Sequence, residues 1–330
     1  MNENRLGTSE LKVSELAFGC WAVGGGANWG PQEDRDSIDA VQTALDFGMT
    51  FFDTAEAYGA GASERILAQG LGSRRDEAFI ASKVSGGHAE PALLREACER
   101  SLENLNTDRI DLYQIHWYPE KYPVSDAIGM LETLTQEGKI RSYGVCNFGP
   151  LQLAEYLEAG GAATTNQVAY SLLFRAIEAE VKPVTENAGM GILAYSPIIQ
   201  GLLGGKIRTL DDVPEPRQRI RHYSSTHGNA RHGEEGHEEL TFETIRRIRS
   251  ICEQINRPMN ELALRWLLDR GCVTSVLIGA RNGDQVRRNA AAASDPLNED
   301  ILRALDEATA ELKEAMGSNA DLWMKESRIR

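Results

Sequence analysis

Residues 78–117 read AFIASKVSGGHAEPALLREACERSLENLNTDRIDLYQIHW and predict a strand, a helix and a second strand in succession. The segments 78–84 and 110–117 combine apolar, β-branched and aromatic residues, which favour strands. Pro91 between them suits the first turn of a helix. Small or apolar residues then recur at helical spacing, at Leu94, Ala97, Cys98, Ser101, Leu102 and Leu105. The stretch therefore predicts one β-α-β unit.

The same alternation of short apolar runs and helical segments continues on both sides of this unit. Further candidate strands are residues 15–21, 50–55, 142–148, 164–170, 191–197 and 274–280. Gly48, Gly138 and Gly189 stand where a helix should end before the next strand. A second apolar stripe predicts a late helix through Ile301, Leu305, Ala308 and Leu312. Because most candidate strands are continuous apolar runs, they predict a parallel sheet covered by helices.

Two folds fit this alternation: an open doubly wound sheet and a closed barrel. Eight units over about 260 residues match the usual size of a (β/α)8 barrel. The open sheet would need G-x-G-x-x-G after an early strand, but Trp29 stands where the last glycine would follow Gly24 and Gly26. We therefore predict an α/β fold, a (β/α)8 TIM barrel in one domain, residues 1–330. An N-terminal β-hairpin should close its floor, a C-terminal helix and tail should follow it, and residues 206–240 read as an irregular insertion.

Composition narrows the functional class. Thirty-five Lys and Arg against 49 Asp and Glu give a net charge of −14, which disfavours binding to nucleic acid or to an anionic membrane surface. The sequence shows neither a spanning apolar run nor a signal peptide, so we expect a cytoplasmic protein. The five cysteines are scattered without a C-x-x-C pair, which predicts reduced thiols and no zinc site.

Four chemically distinct side chains follow the ends of neighbouring strands, where barrels place their chemistry. They are Asp53, Tyr58, Lys83 and His116. A cation beside a phenol lowers its pKa, so Lys83 could tune Tyr58 as an acid while Asp53 keeps Lys83 charged. A neutral His116 could orient a substrate carbonyl. A structural ion pair is the alternative for Asp53 and Lys83 alone.

No residue among these is an evident nucleophile, so hydride from a bound nicotinamide would complete the reaction. Seven motifs in order then resemble the aldo-keto reductase superfamily, in its bacterial NADPH-dependent branch, over Arg5 to about Ala293. The motifs are FFDTAEAYGAGASE (51–64), IASKV (80–84), IDLYQIHW (110–117), GKIRSYGVCNF (138–148), NQVAYS (166–171), AYSP (194–197) and GLLGGK (201–206).

The resemblance implies that an aldehyde or ketone is reduced with NADPH, reversibly in principle, and that Tyr58 is the general acid. For the nicotinamide it implies contacts from Asn147 and Gln167, stacking by Tyr195, and further contacts from Trp21 and Cys146, the last standing where the family usually has Ser. For the pyrophosphate and adenosine it implies contacts from Ser196, Leu202, Gly204, Lys206, Ile278, Gly279, Ala280, Arg281, Gln285 and Asn289.

The sequence GARN (279–282) resembles the bacterial branches of the family that bind the 2′-phosphate of NADPH with an arginine. Arg281 is therefore the first candidate for this contact and Arg288 the second, which favours NADPH over NADH. Trp21, Trp29 and Trp117 lie at or just beyond strand ends and are candidate walls of a pocket for a small carbonyl substrate. The oligomeric state stays open.

Four histidines recur every five residues in the insertion, at His222, His227, His232 and His237. This spacing does not place ligands on one helical face, so we predict a mobile flap over the cofactor and no metal site. Two other functional classes remain as alternatives: a redox-sensing regulatory subunit with slow turnover, like the potassium-channel β subunits of this family, and a metal-dependent barrel hydrolase.

Overall fold

Eight parallel strands close into a barrel in the computed structural model, which describes residues 1–26 and 29–330. An antiparallel hairpin precedes them, formed by β1 (Glu3–Arg5) and β2 (Lys12–Ser14). The barrel strands are β3 (Leu16–Gly19), β4 (Phe51–Asp53), β5 (Phe79–Val84), β6 (Leu112–Ile115), β7 (Tyr143–Cys146), β8 (Thr165–Ala169), β9 (Gly191–Tyr195) and β10 (Val273–Gly279). They pair in chain order and β10 closes on β3. The prediction of a (β/α)8 barrel with an N-terminal hairpin is confirmed.

Helices separate the strands as the sequence predicts. In the described residues they are α1 (Asp34–Asp46), α2 (Ala62–Leu71), α3 (Pro91–Leu105), α4 (Val124–Gln136), α5 (Pro150–Glu158), α6 (Val181–Asn187), α7 (Glu238–Gln254), α8 (Met259–Leu268), α9 (Gly283–Ala290) and α10 (Glu299–Met316). Helix α3 begins at Pro91 and buries all six residues of its predicted stripe. Gly48, Gly138 and Gly189 follow α1, α4 and α6 in left-handed conformations, which favour glycine there.

The predicted stripe of α10 is only partly correct. Leu305 and Leu312 are buried, but Ile301 and Ala308 are half-buried. Thr309 lies on the buried face instead, where its hydroxyl donates to the carbonyl of Leu305 at 2.9 Å. A polar side chain that is hydrogen-bonded can be buried at little cost, and hydrophobic periodicity does not detect it.

Side chains on the inside of the barrel change from apolar to polar along each strand. An apolar layer fills the interior with Ala17, Phe51, Phe79, Leu112, Leu193 and Leu277. Because strand side chains alternate between two faces, the same inward rows continue to Asp53 on β4, Lys83 on β5 and Gln114 on β6. The carboxyl ends of the strands are therefore where polar side chains meet inside the barrel.

The hairpin closes the opposite end of the barrel, as predicted. Leu6 and Val13 are buried and pack with the apolar layer of the interior. Gly7 has a φ of +56°, and a Cβ at this position would lie 2.2 Å from the carbonyl oxygen of Thr164. Only glycine allows the turn to approach the barrel floor this closely.

Two segments without long helices complete the molecule. The insertion segment, residues 206–237, contains the short 3-10 turns Leu210–Asp212 and Glu215–Arg217 and leads into α7, which the sequence analysis did not separate from it. The C-terminal tail, residues 317–330, follows α10. The two segments touch each other, because Arg221 donates to the carbonyl oxygens of Asn319 at 3.0 Å and, from its backbone, Leu322 at 3.1 Å.

The tail ends against α5. The carbonyl oxygen of Arg330 accepts hydrogen bonds from the backbone N–H of Leu151 at 2.8 Å and of Gln152 at 3.2 Å. Gln152 also donates from its side chain to the carbonyl of Arg328 at 2.8 Å. The two contacts to Arg330 satisfy backbone N–H groups at the start of α5 that have no partner within the helix.

The five cysteines are all unpaired, as predicted. Across residues 1–26 and 29–330, the structure contains no helix with the length and apolar character needed to cross a membrane. The assignment of the whole chain to one domain stays a prediction.

Candidate active site

A cavity of about 920 Å³ opens at the carboxyl ends of the barrel strands. Strand ends, the insertion segment and the C-terminal tail all contribute to its wall. Cavities of this size and position are where barrels bind small molecules.

Three of the four predicted catalytic side chains form one hydrogen-bonded group. The Nζ atom of Lys83 lies 2.7 Å from Oδ1 of Asp53 and 3.2 Å from the hydroxyl oxygen of Tyr58. Lys83 also donates to the carbonyl oxygen of Thr54 at 2.8 Å, and its side chain is fully buried. The three donor positions of the ammonium are thereby used. Strands β4 and β5 are neighbours, so their inward side chains meet without distortion.

Two amides hold the other carboxylate oxygen of Asp53. Gln167 donates from Nε2 to Oδ2 at 2.7 Å, and Gln114 does so at 3.5 Å. A buried carboxylate needs such partners in addition to its cation. Sequence analysis missed Gln114, although its inward position two residues after Leu112 on β6 could have identified it.

Burial and charge act on Tyr58 in opposite directions. Burial raises the pKa of Tyr58 to about 12, and the nearby ammonium of Lys83 only partly offsets it. The expectation that Lys83 lowers this pKa overall is therefore wrong for the site as it stands, because burial outweighs the cation. The phenol keeps its proton at neutral pH, and a phenolate would form 3.2 Å from a positive charge.

His116 adds a neutral imidazole beside the phenol. Burial, together with the charge of Lys83, lowers the pKa of His116 to about 3, so the ring is uncharged at neutral pH, as expected. Its ring lies edge-on to that of Tyr58, with the centroids 5.8 Å apart. Burial lowers the pKa of Lys83, but the carboxylate of Asp53 reverses this, and the net effect raises the pKa of that ammonium. The site thus brings together the protonated phenol of Tyr58, the charged ammonium of Lys83 and the neutral ring of His116.

The predicted nicotinamide contacts lie together at the next strands. Tyr195 donates its hydroxyl to Oδ1 of Asn147 at 2.9 Å, and Asn147 donates from Nδ2 to Sγ of Cys146 at 3.1 Å. Trp21, Cys146, Asn147, Gln167, Tyr195 and Ser196 all line the cavity. Asn147 and Ser196 have φ values of +61° and +54°, a left-handed conformation that is costly for residues other than glycine and is found at functional sites.

The predicted phosphate and adenosine contacts also line the cavity, with one exception. Those on the wall are Gly204, Lys206, Ile278, Gly279, Ala280, Arg281, Gln285, Arg288 and Asn289. Leu202 is not among the lining residues, because its side chain is buried in the core. Arg281 donates from Nε to Oε1 of Gln32 at 2.6 Å and also contacts the carbonyl of Pro31, so the partners that hold it are uncharged.

Unpartnered donors in this part of the cavity fit a dinucleotide with phosphate groups. Nε2 of Gln200 and Nε of Arg217 are buried and lack a hydrogen-bond partner within the described part of the chain. Burial lowers the pKa of Arg217, and the neighbouring charge of Arg281 lowers it further. Both residues line the cavity, and an oxyanion between them would satisfy donors and charge together.

Four tryptophans surround the opening near Tyr58. The predicted walls Trp21, Trp29 and Trp117 all line the cavity, and Trp21 stacks on Tyr58 with ring centroids 6.1 Å apart. Trp323 of the tail joins them, 6.2 Å from Trp21. Sequence analysis gave the tail no role, although the apolar run of Leu322, Trp323 and Met324 was a signal.

The insertion segment contributes Arg217, Arg219, Asn229 and Arg231 to the wall of the cavity, whereas its position over a bound cofactor stays a prediction. Its mobility stays a prediction.

The histidines of the insertion segment hold it in place. Buried His222 lies 2.8 Å from the carbonyl of Leu173, and His227 lies 2.8 Å from Oε1 of Glu238. Nδ1 of buried His232 accepts from the backbone N–H of Glu234 at 3.1 Å. Within residues 1–26 and 29–330, no three His, Cys, Asp or Glu side chains are grouped so that they could hold a metal.

The chain is similar to reductases and dehydrogenases over nearly its whole length. NADH-specific methylglyoxal reductase from Escherichia coli is 30% identical over 334 residues, covering 93% of this chain and 99% of that protein. Glycerol dehydrogenase from Gluconobacter oxydans has a TM-score of 0.80 and 30% identity, over 94% of this chain and 95% of that one. An aldo-keto reductase from Klebsiella pneumoniae, solved in complex with NADPH, has a TM-score of 0.73 and 26% identity over the same shares.

A family model confirms what these likenesses indicate. The model described as the aldo/keto reductase family matches residues 15–310. With the closed barrel and the four polar side chains at its carboxyl end, this match shows that the chain is an oxidoreductase of the aldo/keto reductase family.

Proposed function

We propose that this protein reduces an aldehyde or ketone to an alcohol with NADPH as the hydride donor and Tyr58 as the proton donor. One observation supports this most directly: the hydroxyl of Tyr58 lies 3.2 Å from a buried Lys83, whose charge is fixed by Asp53 at 2.7 Å. The group stands at the wall of the cavity described above, beside a neutral His116.

The chain supplies a place for the coenzyme along this cavity. Asn147, Gln167 and Tyr195 would hold the nicotinamide, whereas Lys206 and Arg281 would meet phosphate groups. When bound, NADPH supplies the hydride that the side chains cannot provide.

Each polar side chain then has a separate task toward the carbonyl. His116 donates a hydrogen bond that orients the carbonyl oxygen, and Tyr58 transfers its proton to that oxygen. Lys83 stabilises the phenolate that remains, and Asp53 keeps Lys83 charged and in position. Trp21 next to Tyr58 excludes water from the reacting atoms. In the reverse direction the phenolate accepts the proton of an alcohol.

The preference for NADPH rests on Arg281. Relatives in the family differ in coenzyme, since one is named as NADH-specific and another is bound to NADPH. The guanidinium of Arg281 is held by the uncharged Gln32 and Pro31, so its charge is available to a 2′-phosphate.

Substitution of Tyr58 by Phe tests the proposal. We expect Tyr58→Phe to lower the turnover of methylglyoxal and glyceraldehyde by about 100-fold or more, because the proton donor is lost. NADPH binding should be retained, because the hydroxyl that is lost contacts Lys83 and is not one of the proposed coenzyme contacts. The measurements are the decrease of NADPH absorbance and an equilibrium titration of coenzyme.

Tyr122→Phe is a matched control outside the wall of the cavity and should behave as wild type. Near-normal turnover by Tyr58→Phe would contradict the assigned role. A wild-type protein that binds NADPH but turns over none of the carbonyls or alcohols of a broad panel would favour the redox-sensing alternative.

A further inference from the structure

Gln114 is fully buried inside the barrel, although its polar atoms are poorly satisfied there. It lies on β6, two residues after Leu112 of the apolar layer. Its Nε2 donates to Oδ2 of Asp53 at 3.5 Å, which is long for a hydrogen bond. Its Oε1 has no hydrogen-bond partner within residues 1–26 and 29–330. A buried amide in this state costs stability relative to an apolar side chain of similar size.

The register of the barrel places Gln114 beside the reacting group. It pairs with Lys83 on β5 and with Gly144 on β7. A Cβ at Gly144 would lie 3.3 Å from Cγ of Gln114 and 2.3 Å from Oγ1 of Thr165. The missing side chain of Gly144 thus leaves space for its neighbours, and the hydrogen bond that Gln114 makes goes to Asp53.

Oδ2 of Asp53 is shared by two amides that differ in their access to the cavity. Gln167 donates at the short distance of 2.7 Å and lines the cavity. It is also a proposed nicotinamide contact, so bound coenzyme competes with Asp53 for its amide. Gln114 does not line the cavity, so its amide stays available to Asp53 when coenzyme is bound.

The charge of Asp53 affects the proposed proton donor. Oδ1 of Asp53 lies 2.7 Å from Lys83, which lies 3.2 Å from the hydroxyl of Tyr58. Burial raises the pKa of Tyr58, the charge of Lys83 lowers it, and the charge of Asp53 raises it again. A donor on Oδ2 weakens this last effect, because it stabilises the negative charge of Asp53 locally. The phenolate of Tyr58 is then easier to form.

We propose that Gln114 is a positioning residue, which holds Oδ2 of Asp53 when Gln167 turns its amide toward the coenzyme. It keeps Asp53 in place for Lys83 and limits the effect of the carboxylate on Tyr58, without touching substrate or coenzyme. A cost in stability beside the reacting group is consistent with such a role. This inference rests on the proposed reductase function and adds a residue to the same site.

Gln114→Met tests this role, because it keeps the length of the side chain and removes the donor. We expect kcat for the reduction of methylglyoxal to fall at least about fivefold, since the phenolate is less stabilised. KM and the dissociation constant of NADPH should change less than about twofold, because Gln114 does not line the cavity.

The pH profile of glycerol oxidation gives a second readout. In this direction the phenol of Tyr58 must lose its proton before it can accept one from the alcohol. Without the donor on Asp53, the phenol should hold its proton more tightly. The pH at which oxidation is half-maximal should therefore rise by about 0.5 to 1 in Gln114→Met.

Urea unfolding of the coenzyme-free protein separates this role from a structural one. Gln114→Met should keep or raise the unfolding midpoint, because a buried oxygen without a partner is removed. Gln167→Met should lower the midpoint, since Asp53 loses its short hydrogen bond. The double variant should lower it by more than the sum of the two changes, because Oδ2 of Asp53 then has neither donor.

Thr165→Val is the matched control. The hydroxyl of Thr165 is buried in the same part of the interior and has no partner among the described residues. This variant should keep the kcat and the pH profile of wild type. If Gln114→Met does not fold, Gln114→Leu, which resembles Leu112 of the apolar layer, carries the same tests.

The outcomes separate this inference from the proposed function. A wild-type kcat and pH profile in Gln114→Met overturns the role of Gln114 and leaves the reductase function standing. Equal changes in Thr165→Val, or additive midpoints in the double variant, also overturn it. A wild-type protein that turns over no carbonyl or alcohol contradicts the reductase function, whereas the unfolding midpoints still decide whether the two amides share Asp53.

Discussion

Tyr58 carries the proposed chemistry, and its behaviour follows from residues that touch it. Burial makes the phenol a weaker acid, with a pKa of about 12, so the proton is present when a carbonyl arrives. Lys83 favours the phenolate that follows. The same cation, together with burial, keeps His116 neutral. A donor that holds its proton beside a fixed positive charge is suited to giving that proton to a substrate oxygen only as negative charge develops there.

The half-buried imidazole of His116 makes the stability of the protein depend on pH. Its folded pKa of about 3 lies below the ordinary value of 6.5, so the unfolded chain binds this proton first. The stability that the neutral ring contributes is complete well above pH 6.5 and is lost as the pH falls toward 3. Between about pH 7.5 and about pH 5, wild type should lose about 2 kcal/mol more than His116→Gln.

Urea unfolding followed by tryptophan fluorescence at both pH values measures this difference. Identical losses in the two proteins would show that His116 titrates normally in the folded chain.

Arg281 should set the choice between coenzymes. Arg281→Ala should weaken NADPH binding by about tenfold to 100-fold and NADH binding much less, because only NADPH carries a 2′-phosphate. Equilibrium quenching of tryptophan fluorescence measures both constants. Arg287→Ala is the control, as Arg287 pairs with Asp284 and does not line the cavity. An equal loss of affinity for the two coenzymes would show that Arg281 does not bind the 2′-phosphate.

At the scale of elements, the site depends on strand alternation and on two irregular segments. Side chains along a strand alternate between the inside and the outside of the barrel. The last inward residues of β4, β5 and β6 are therefore Asp53, Lys83 and Gln114, above an apolar layer. The insertion segment and the C-terminal tail then place arginines and a tryptophan over the opening. The strands thus provide the reacting groups, and the irregular segments provide the walls.

Asp321 holds the tail in its conformation, and its substitution tests how much the tail contributes. Its side chain accepts from the backbone N–H of Trp323 at 3.0 Å and from the guanidinium of Arg328 at 2.7 Å. Asp321→Asn should lower the free energy of unfolding by about 1–3 kcal/mol, because a buried acceptor of charged hydrogen bonds is lost. It should also raise KM more than it lowers kcat, since Trp323 lines the cavity and packs against Trp21, whereas Tyr58 is the proposed proton donor.

Denaturant unfolding and steady-state kinetics provide the two readouts. Asp300→Asn is the control, because the ion pair of Asp300 with Arg303 is exposed and such pairs contribute less than about 1 kcal/mol. A KM unchanged from wild type in Asp321→Asn would show that the tail does not position the substrate.

At the scale of the whole molecule, the repeating part of the fold could be predicted and the irregular part could not. Seven of the eight candidate strands contain an observed strand, and the eighth, residues 274–280, misses only Val273 at the start of β10, because parallel barrel strands are buried on both faces and read as apolar runs. Asp53, Tyr58, Lys83 and His116 could be located because they stand at or just after the ends of these apolar runs. The net direction of the Tyr58 pKa could not be predicted, since it depends on how deeply the loop after β4 is buried. The contact of the insertion with the tail joins residues about 100 positions apart and leaves no local pattern.

The anchoring of Arg330 on the start of α5 has a consequence for engineering. Helix α5 follows β7 and Asn147, which we propose as a nicotinamide contact, while Trp323 of the same tail lines the same cavity. A tail grafted from a relative to change substrate preference would therefore also disturb the start of α5, unless the graft preserves the backbone contacts of Arg330 with Leu151 and Gln152. The tail, residues 317–330, should therefore be exchanged together with the first turn of α5, because the two are joined by backbone hydrogen bonds.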